Sequence, residues 1–162
     1  MISTGKDLFE VCFDKDGLAT DVAGRQPCII VDCSSIGMDE SKEIRTRLAA
    51  RGVHYLAAPV SGNPKCVAAG KLSSVLSGFK PAFDKVQSMI EAYTPRGVAY
   101  VGEGDLARVC KIAHNVMLAT IMENLIEVTL MAQKAGVPRH AFLRFMNNSV
   151  ADSILPSTSR LR

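Results

Sequence analysis

From Asp105 to Ala135 the chain runs for roughly 31 residues without a proline or an internal glycine, and it meets a glycine at Gly136. With no helix breaker inside and a glycine just past the end, the stretch predicts one helix, with a rise of roughly 45 Å. That is long for a helix within one small domain, so it is expected to link two lobes or cross a subunit interface. Pro138 then restarts a shorter helix through Met146, followed by the polar NNSVADS, and Pro156 to Arg162 shows no strong pattern.

The residues before Gly104 alternate instead between short apolar runs and amphipathic stretches, the rhythm of βα units. Pro27 to Asp32 is the clearest strand, because Ile29, Ile30 and Val31 form the continuous β-branched run of a strand buried on both faces. Ser35 through Gly52 reads as a loop into a helix with Ile44, Leu48 and Ala49 as its apolar stripe and Gly52 as its stop. Residues 53–60 predict a second strand, Ser61 to Gly70 a loop with room for a helical turn, and residues 73–77 a third strand. Residues 81–93 predict a helix started by Pro81 and carrying Phe83, Val86, Met89 and Ile90 on one face, and Val98 to Val101 a last strand. The class is α/β: residues 1–103 as a domain of βα units, residues 104–162 as a long linking helix and the start of an all-α domain.

Composition excludes several functions. Hydrophobic residues make up 48% of the chain and charged residues 22%, the balance of a globular protein. The net charge of +3 is spread among interspersed acids and bases, so no nucleic-acid surface is indicated. Charges at Lys6, Asp7, Glu10, Asp14 and Lys15 break any leader-like apolar core, and no stretch reads as long and apolar enough to span a bilayer. Five cysteines without CxxC spacing predict free thiols, a cytoplasmic setting and no metal site.

Three places can carry chemistry. Lys111 and Asn115 stand four apart, on one face of the long helix, flanking a stripe of Leu106, Val109, Cys110, Ala113, Met117 and Ile121. A lysine there is ordinarily solvated, with its methylenes laid on the core. If partly buried, its pKa falls toward the range needed for proton transfer. Ser61-Gly62-Asn63-Pro64 follows a strand, where small residues let backbone N–H groups approach an anion, or is a plain turn. Asp32-Cys33-Ser34-Ser35 ends the surest strand, and its hydroxyls either face a nucleotide or cap the next segment. Gly102-Glu103-Gly104 has Ala107 at the third position of a dinucleotide fingerprint and reads as the hinge into the helix.

DCSSI (Asp32 to Ile36), APVSGNPKCVAAGKL (Ala58 to Leu72) and GEGDLARVCKIAHN (Gly102 to Asn115) together resemble the β-hydroxyacid dehydrogenase family, relatives of 6-phosphogluconate dehydrogenase. Its patterns are D-x-S-T/S-I, D-A-P-V-S-G-G with a later A-x-x-G-x-L, and G-x-G-x-x-x-K-x-x-N-N. The resemblance implies a Rossmann-type domain, NAD or NADP as cofactor, and hydride transfer to or from a short β-hydroxy acid of the 3-hydroxyisobutyrate kind. It implies Lys111 as catalytic acid and base, and Asn115, Ser61, Gly62 and Asn63 as substrate contacts. Ser35, with Ile2 and Ser3, is implied as a cofactor contact, and a homo-oligomer through the helical region is expected. Ala57, Asn63 and His114 depart from the pattern, in place of an aspartate, a glycine and an asparagine. Family members also carry a strand with a G-x-G-x-x-G turn before this region and a helical domain after it, so the chain is expected to be truncated at both ends. The competing expectation is a non-catalytic module that folds or dimerises without binding cofactor.

Overall fold

A computed structural model describes residues 1–20, 24 and 26–153 of the chain; the stretch from Pro156, read above as patternless, lies outside them. The elements in chain order are α1 (Gly5–Phe13), β1 (Ile29–Asp32), α2 (Met38–Ala49), β2 (His54–Ala57), β3 (Val60–Ser61), α3 (Pro64–Ala68), β4 (Ser73–Leu76), α4 (Lys80–Tyr93), β5 (Val98–Tyr100), α5 (Leu106–Lys134) and α6 (Arg139–Asn147). A short 3-10 turn, Val150–Ser153, follows. The chain forms two compact units, Met1–Ile112 and the part from Ala113 onward.

In the first unit β1 and β2 pair in parallel, with Ile30 opposite Tyr55. β4 pairs in parallel with β5 and antiparallel with β3. A bridge between Ala57 and Ser77 joins the two sets of strands. Side chains alternate across the sheet with the period of two that a pleated strand imposes. Tyr55 and Ala57 join Leu8, Cys12, Ile44, Leu48 and Ala107 in one core, under α1, α2 and the start of α5. Leu56 and Ala58 join Leu76, Ala82, Phe83 and Ile90 in the other, under α4. Helices on both faces of a mainly parallel sheet are the α/β layering expected from the sequence.

Four details differ from the sequence reading. The strand expected over 53–60 is interrupted after Ala57: Pro59 has no N–H to give a ladder, and β3 turns to run antiparallel to β4. α1 was not expected; the Thr4 hydroxyl accepts from the Asp7 N–H at 3.1 Å while the Asp7 carboxylate accepts from the Thr4 N–H at 3.0 Å, a capping box that starts the helix. On α2 the third inward residue is Ser41 rather than Ala49, and on α4 Met89 is exposed while Phe83 and Ile90 are buried. Finally, α5, with its 29 residues, is long and apolar enough by length and composition to cross a membrane, contrary to the expectation that no stretch was. Its polar positions are too sparse to break the apolar average.

The second unit holds the rest of α5, α6 and the short turn. Leu125 and Thr129 are its buried residues on α5, and a cavity of about 350 Å³ between the helices is lined by Met122, Leu125, Ile126, Leu130 and Leu143.

Candidate functional site

The carboxyl end of β1 turns inward before it turns out. Asp32 is buried and accepts from the Ser34 N–H at 2.9 Å, closing a tight turn. The buried Ser34 hydroxyl in turn accepts from the Ile2 N–H at 2.8 Å, which ties the first residues of the chain to this strand end. Ser35 is exposed, as is Ser3. The Ser34 hydroxyl therefore does not cap the next segment, whose N-cap is Gly37, and Ser35 is left on the surface.

α5 begins from a glycine hinge, with Gly102 at φ 116° and Gly104 at φ 65°, conformations that other residues adopt only with strain. The Ser77 hydroxyl donates to the Gly104 carbonyl at 2.9 Å and accepts from the Ala107 N–H at 3.0 Å, satisfying a helix-start donor that has no partner within the helix. Asp105 pairs with Arg45 and accepts from the Ser41 hydroxyl at 2.6 Å.

One residue into the next turn lies the most buried ion pair of the described residues. Arg108 Nη2 reaches the Asp32 carboxylate at 2.7 Å and the Tyr55 hydroxyl at 2.5 Å. Arg108 Nη1 donates to the Ser34 carbonyl at 2.9 Å and Nε to the Ser41 hydroxyl at 2.6 Å. Burial alone pushes the Asp32 carboxyl up, but hydrogen bonds from Ser34, Arg108 and Tyr55 outweigh it and hold the group below the usual carboxylate range. The same burial, with the Asp32 charge beside it, pushes the Tyr55 hydroxyl up and the Cys12 thiol to about 11. Local sequence reasoning missed this network. Arg108 carries no local signal of it, because its partners Asp32, Ser34, Ser41 and Tyr55 are brought to it only by the fold.

Lys111 follows one turn later and is partly buried, and burial lowers its pKa from the ordinary lysine value. The apolar stripe expected beside it is not a core: Leu106, Val109, Cys110, Ala113 and Met117 are exposed, and the inward face of the helix start is Ala107 and Arg108. The lack of breakers marks the helix, but apolar residues alone do not say which side faces the sheet. Asn115, four residues on, belongs to the second unit, is exposed, and its Oδ1 lies 3.1 Å from the His114 ring nitrogen.

The Ser61-Gly62-Asn63 loop is organised by β4 and α3 rather than by the Arg108 network. Ser61 pairs with Ser73 across the strands. Gly62 has φ 149°, and a Cβ there would stand 2.5 Å from Leu72 Cδ2 and 2.9 Å from Cys66 Cβ, so glycine is required on both counts. Asn63 caps α3, its Oδ1 accepting from the Cys66 N–H at 3.0 Å, which leaves its amide N–H groups as donors. All five cysteines are free thiols, and among the described residues no group of His, Cys, Asp and Glu is placed to hold a metal ion.

Residues 1–102 match the family model of the NAD binding domain of 6-phosphogluconate dehydrogenase. The chain is 28% identical over 149 residues to 3-hydroxyisobutyrate dehydrogenase of Pseudomonas aeruginosa, covering 92% of this chain and 49% of that protein. It is 32% identical over 136 residues to 2-hydroxy-3-oxopropionate reductase of Escherichia coli, covering 84% and 46%. Among solved structures, 3-hydroxyisobutyrate dehydrogenase of Mycobacterium tuberculosis with L-serine superposes with a TM-score of 0.79 at 22% identity, covering 93% of this chain and 50% of that one. The chain thus spans about half the length of the relatives it matches.

Proposed function

As the chain belongs to the family of the NAD binding domain of 6-phosphogluconate dehydrogenase, we propose that it supplies the hydride-transfer site of an NAD- or NADP-dependent oxidoreductase acting on a short β-hydroxy acid of the 3-hydroxyisobutyrate kind, or its semialdehyde. The observation that carries this reading is Lys111: a partly desolvated lysine with a lowered pKa, on the helix start that is bonded to the carboxyl end of β1. Ligands of open α/β sheets bind at such strand ends.

The residues present fit one side of a dinucleotide. Ser35 and Ser3, both exposed, each lie next to a partner of the Ile2–Ser34 hydrogen bond, offering hydroxyl groups and backbone donors in one place. Ile2, Ser3 and Ser35 are the contacts assigned to the cofactor; a glycine-rich phosphate turn does not occur in this sequence, and no pyrophosphate contact is assigned. When bound, the nicotinamide takes up or returns the hydride. Lys111 Nζ receives the hydroxyl proton of the substrate as its carbinol C–H bond breaks, and gives it back in the reverse direction. A lowered pKa raises the fraction of neutral amine that can do so. The Gly62 N–H, the Ser61 hydroxyl and the Asn63 amide hold the substrate carboxylate, and Asn115 orients the substrate hydroxyl beside Lys111. The helical region, where Val116, Met117, Leu130 and Met131 are exposed, is assigned to association between copies; light scattering on the chain reads this directly, and a strict monomer removes it.

Titration of the chain with NADH and with NADPH, followed by nicotinamide fluorescence, tests the cofactor assignment. Saturable binding of one of them at micromolar concentration, about −8 kcal/mol, is expected. Absence of saturation with both at millimolar concentration would leave the non-catalytic module as the correct description.

A further inference from the structure

A buried ion pair is a poor device for stability alone, since apolar side chains of similar volume serve as well. The Arg108 pair is nonetheless complete: the side chain is 2% exposed, and three of its nitrogens reach four partners. Those partners come from three directions: the end of β1 (Asp32, Ser34), α2 (Ser41) and β2 (Tyr55). A planar guanidinium meets such a set in one orientation only.

That orientation has a consequence for the helix. Around the start of α5, residues 107 and 108 face inward while 106, 109, 110 and 112 are exposed. Lys111 is three residues after Arg108 and four after Ala107, so it shares their face. Any rotation of the helix about its axis would carry Lys111 away from the sheet and pull Arg108 off its partners together. The Ser34 that gives its carbonyl to Arg108 also gives its hydroxyl to the Ile2 N–H. One guanidinium therefore connects the lysine-bearing helix to the turn that presents Ser35 and the first residues of the chain.

We propose that Arg108 is the positioning residue of the site: its grip on Asp32, Ser34, Ser41 and Tyr55 fixes the rotation of α5 and holds Lys111 on the sheet side of the helix. This rests on the reading of Lys111 as the proton-transfer group. Arg108 is a positioning residue and acts on the chemistry through Lys111.

The test is isotope-labelled dimethyl-lysine NMR on the whole chain, with Lys111 assigned by its loss in Lys111→Met. In the wild type the Lys111 methyl signal stands apart from those of the exposed lysines. In Arg108→Met with Asp32→Asn, which removes both charges together, it merges with them, and turnover of the β-hydroxy acid falls about 100-fold, the scale of a misplacement near 1 Å. A Lys111 signal unmoved in the folded double variant overturns the proposal. If that variant does not fold, Tyr55→Phe with Ser41→Ala keeps the ion pair but removes two of its guides. The signal then shifts part of the way, and no shift again overturns the proposal. Full turnover in Lys111→Met would instead defeat the catalytic reading, whereas loss there beside an unaffected Arg108 variant would defeat only the positioning role.

Discussion

Replacing Arg108 alone by methionine is the most damaging single change the structure points to. The substitution keeps roughly the volume of the side chain and deletes its charge, leaving the Asp32 carboxylate, 1% exposed, facing an apolar thioether. Breaking a buried pair by removing one partner costs about 3–5 kcal/mol. Counting the four hydrogen bonds at about 1 kcal/mol each gives a similar figure. Against a total stability of about 5–15 kcal/mol, that is at least about a fifth of what holds such a domain together. The internal control is Lys80→Met, which breaks a pair with Asp84 whose side chains are 49% and 52% exposed; it is expected to cost about 0–1 kcal/mol. Urea denaturation of the three proteins followed by circular dichroism measures both. Adding Asp32→Asn to Arg108→Met removes the stranded charge and is expected to return much of the loss. A cost for Arg108→Met no larger than that of Lys80→Met would show that the ion pair is solvated and that the reasoning from burial is wrong.

Two further outcomes follow from the same unit. The Asp32 carboxyl lies below its ordinary value of 3.8 in the folded state, so its contribution is fully present above that pH and is lost as pH falls through the folded value; the unfolding free energy at pH 3 should drop relative to pH 7, less so in Arg108→Met with Asp32→Asn. Gly62→Ala meets both a positive φ and a Cβ contact at 2.5 Å, so it should cost about 1–3 kcal/mol in thermal or urea unfolding, and a neutral result would mean that the loop relaxes freely.

Much of the architecture could be read from local pattern. The Ile29-Ile30-Val31 run is β1, the uninterrupted stretch before Gly136 is α5 almost to the residue, and Pro81 marks the first turn of α4. What escaped was decided at a distance. Arg108 reads locally as one more solvated charge in LARVC, because its partner Asp32 is 76 residues away and only the sheet brings them together. Which side of α5 faces the protein was hidden for the same reason: exposed Val109 and Met117 are as apolar as any core residue. β3 separates from β2 because Pro59 ends the ladder, a local signal that the apolar run masked. α1 was legible in principle, from Thr4 and Asp7 at capping-box spacing with Leu8 and Cys12 four apart behind them. Of the proposed site, Lys111 and the Ser61 loop are assigned from pattern and resemblance. Its scaffolding is not.

The proton-transfer role proposed for Lys111 is examined most directly by steady-state kinetics of Lys111→Met in a turnover assay with a short β-hydroxy acid and the preferred nicotinamide cofactor. Loss of a positioned acid and base lowers kcat by about 10²–10⁴-fold, with cofactor affinity within about twofold of the wild type because the cofactor contacts assigned to Ile2, Ser3 and Ser35 are untouched. A kcat within about threefold of the wild type, or a fall matched by an equal loss of cofactor affinity, would contradict it.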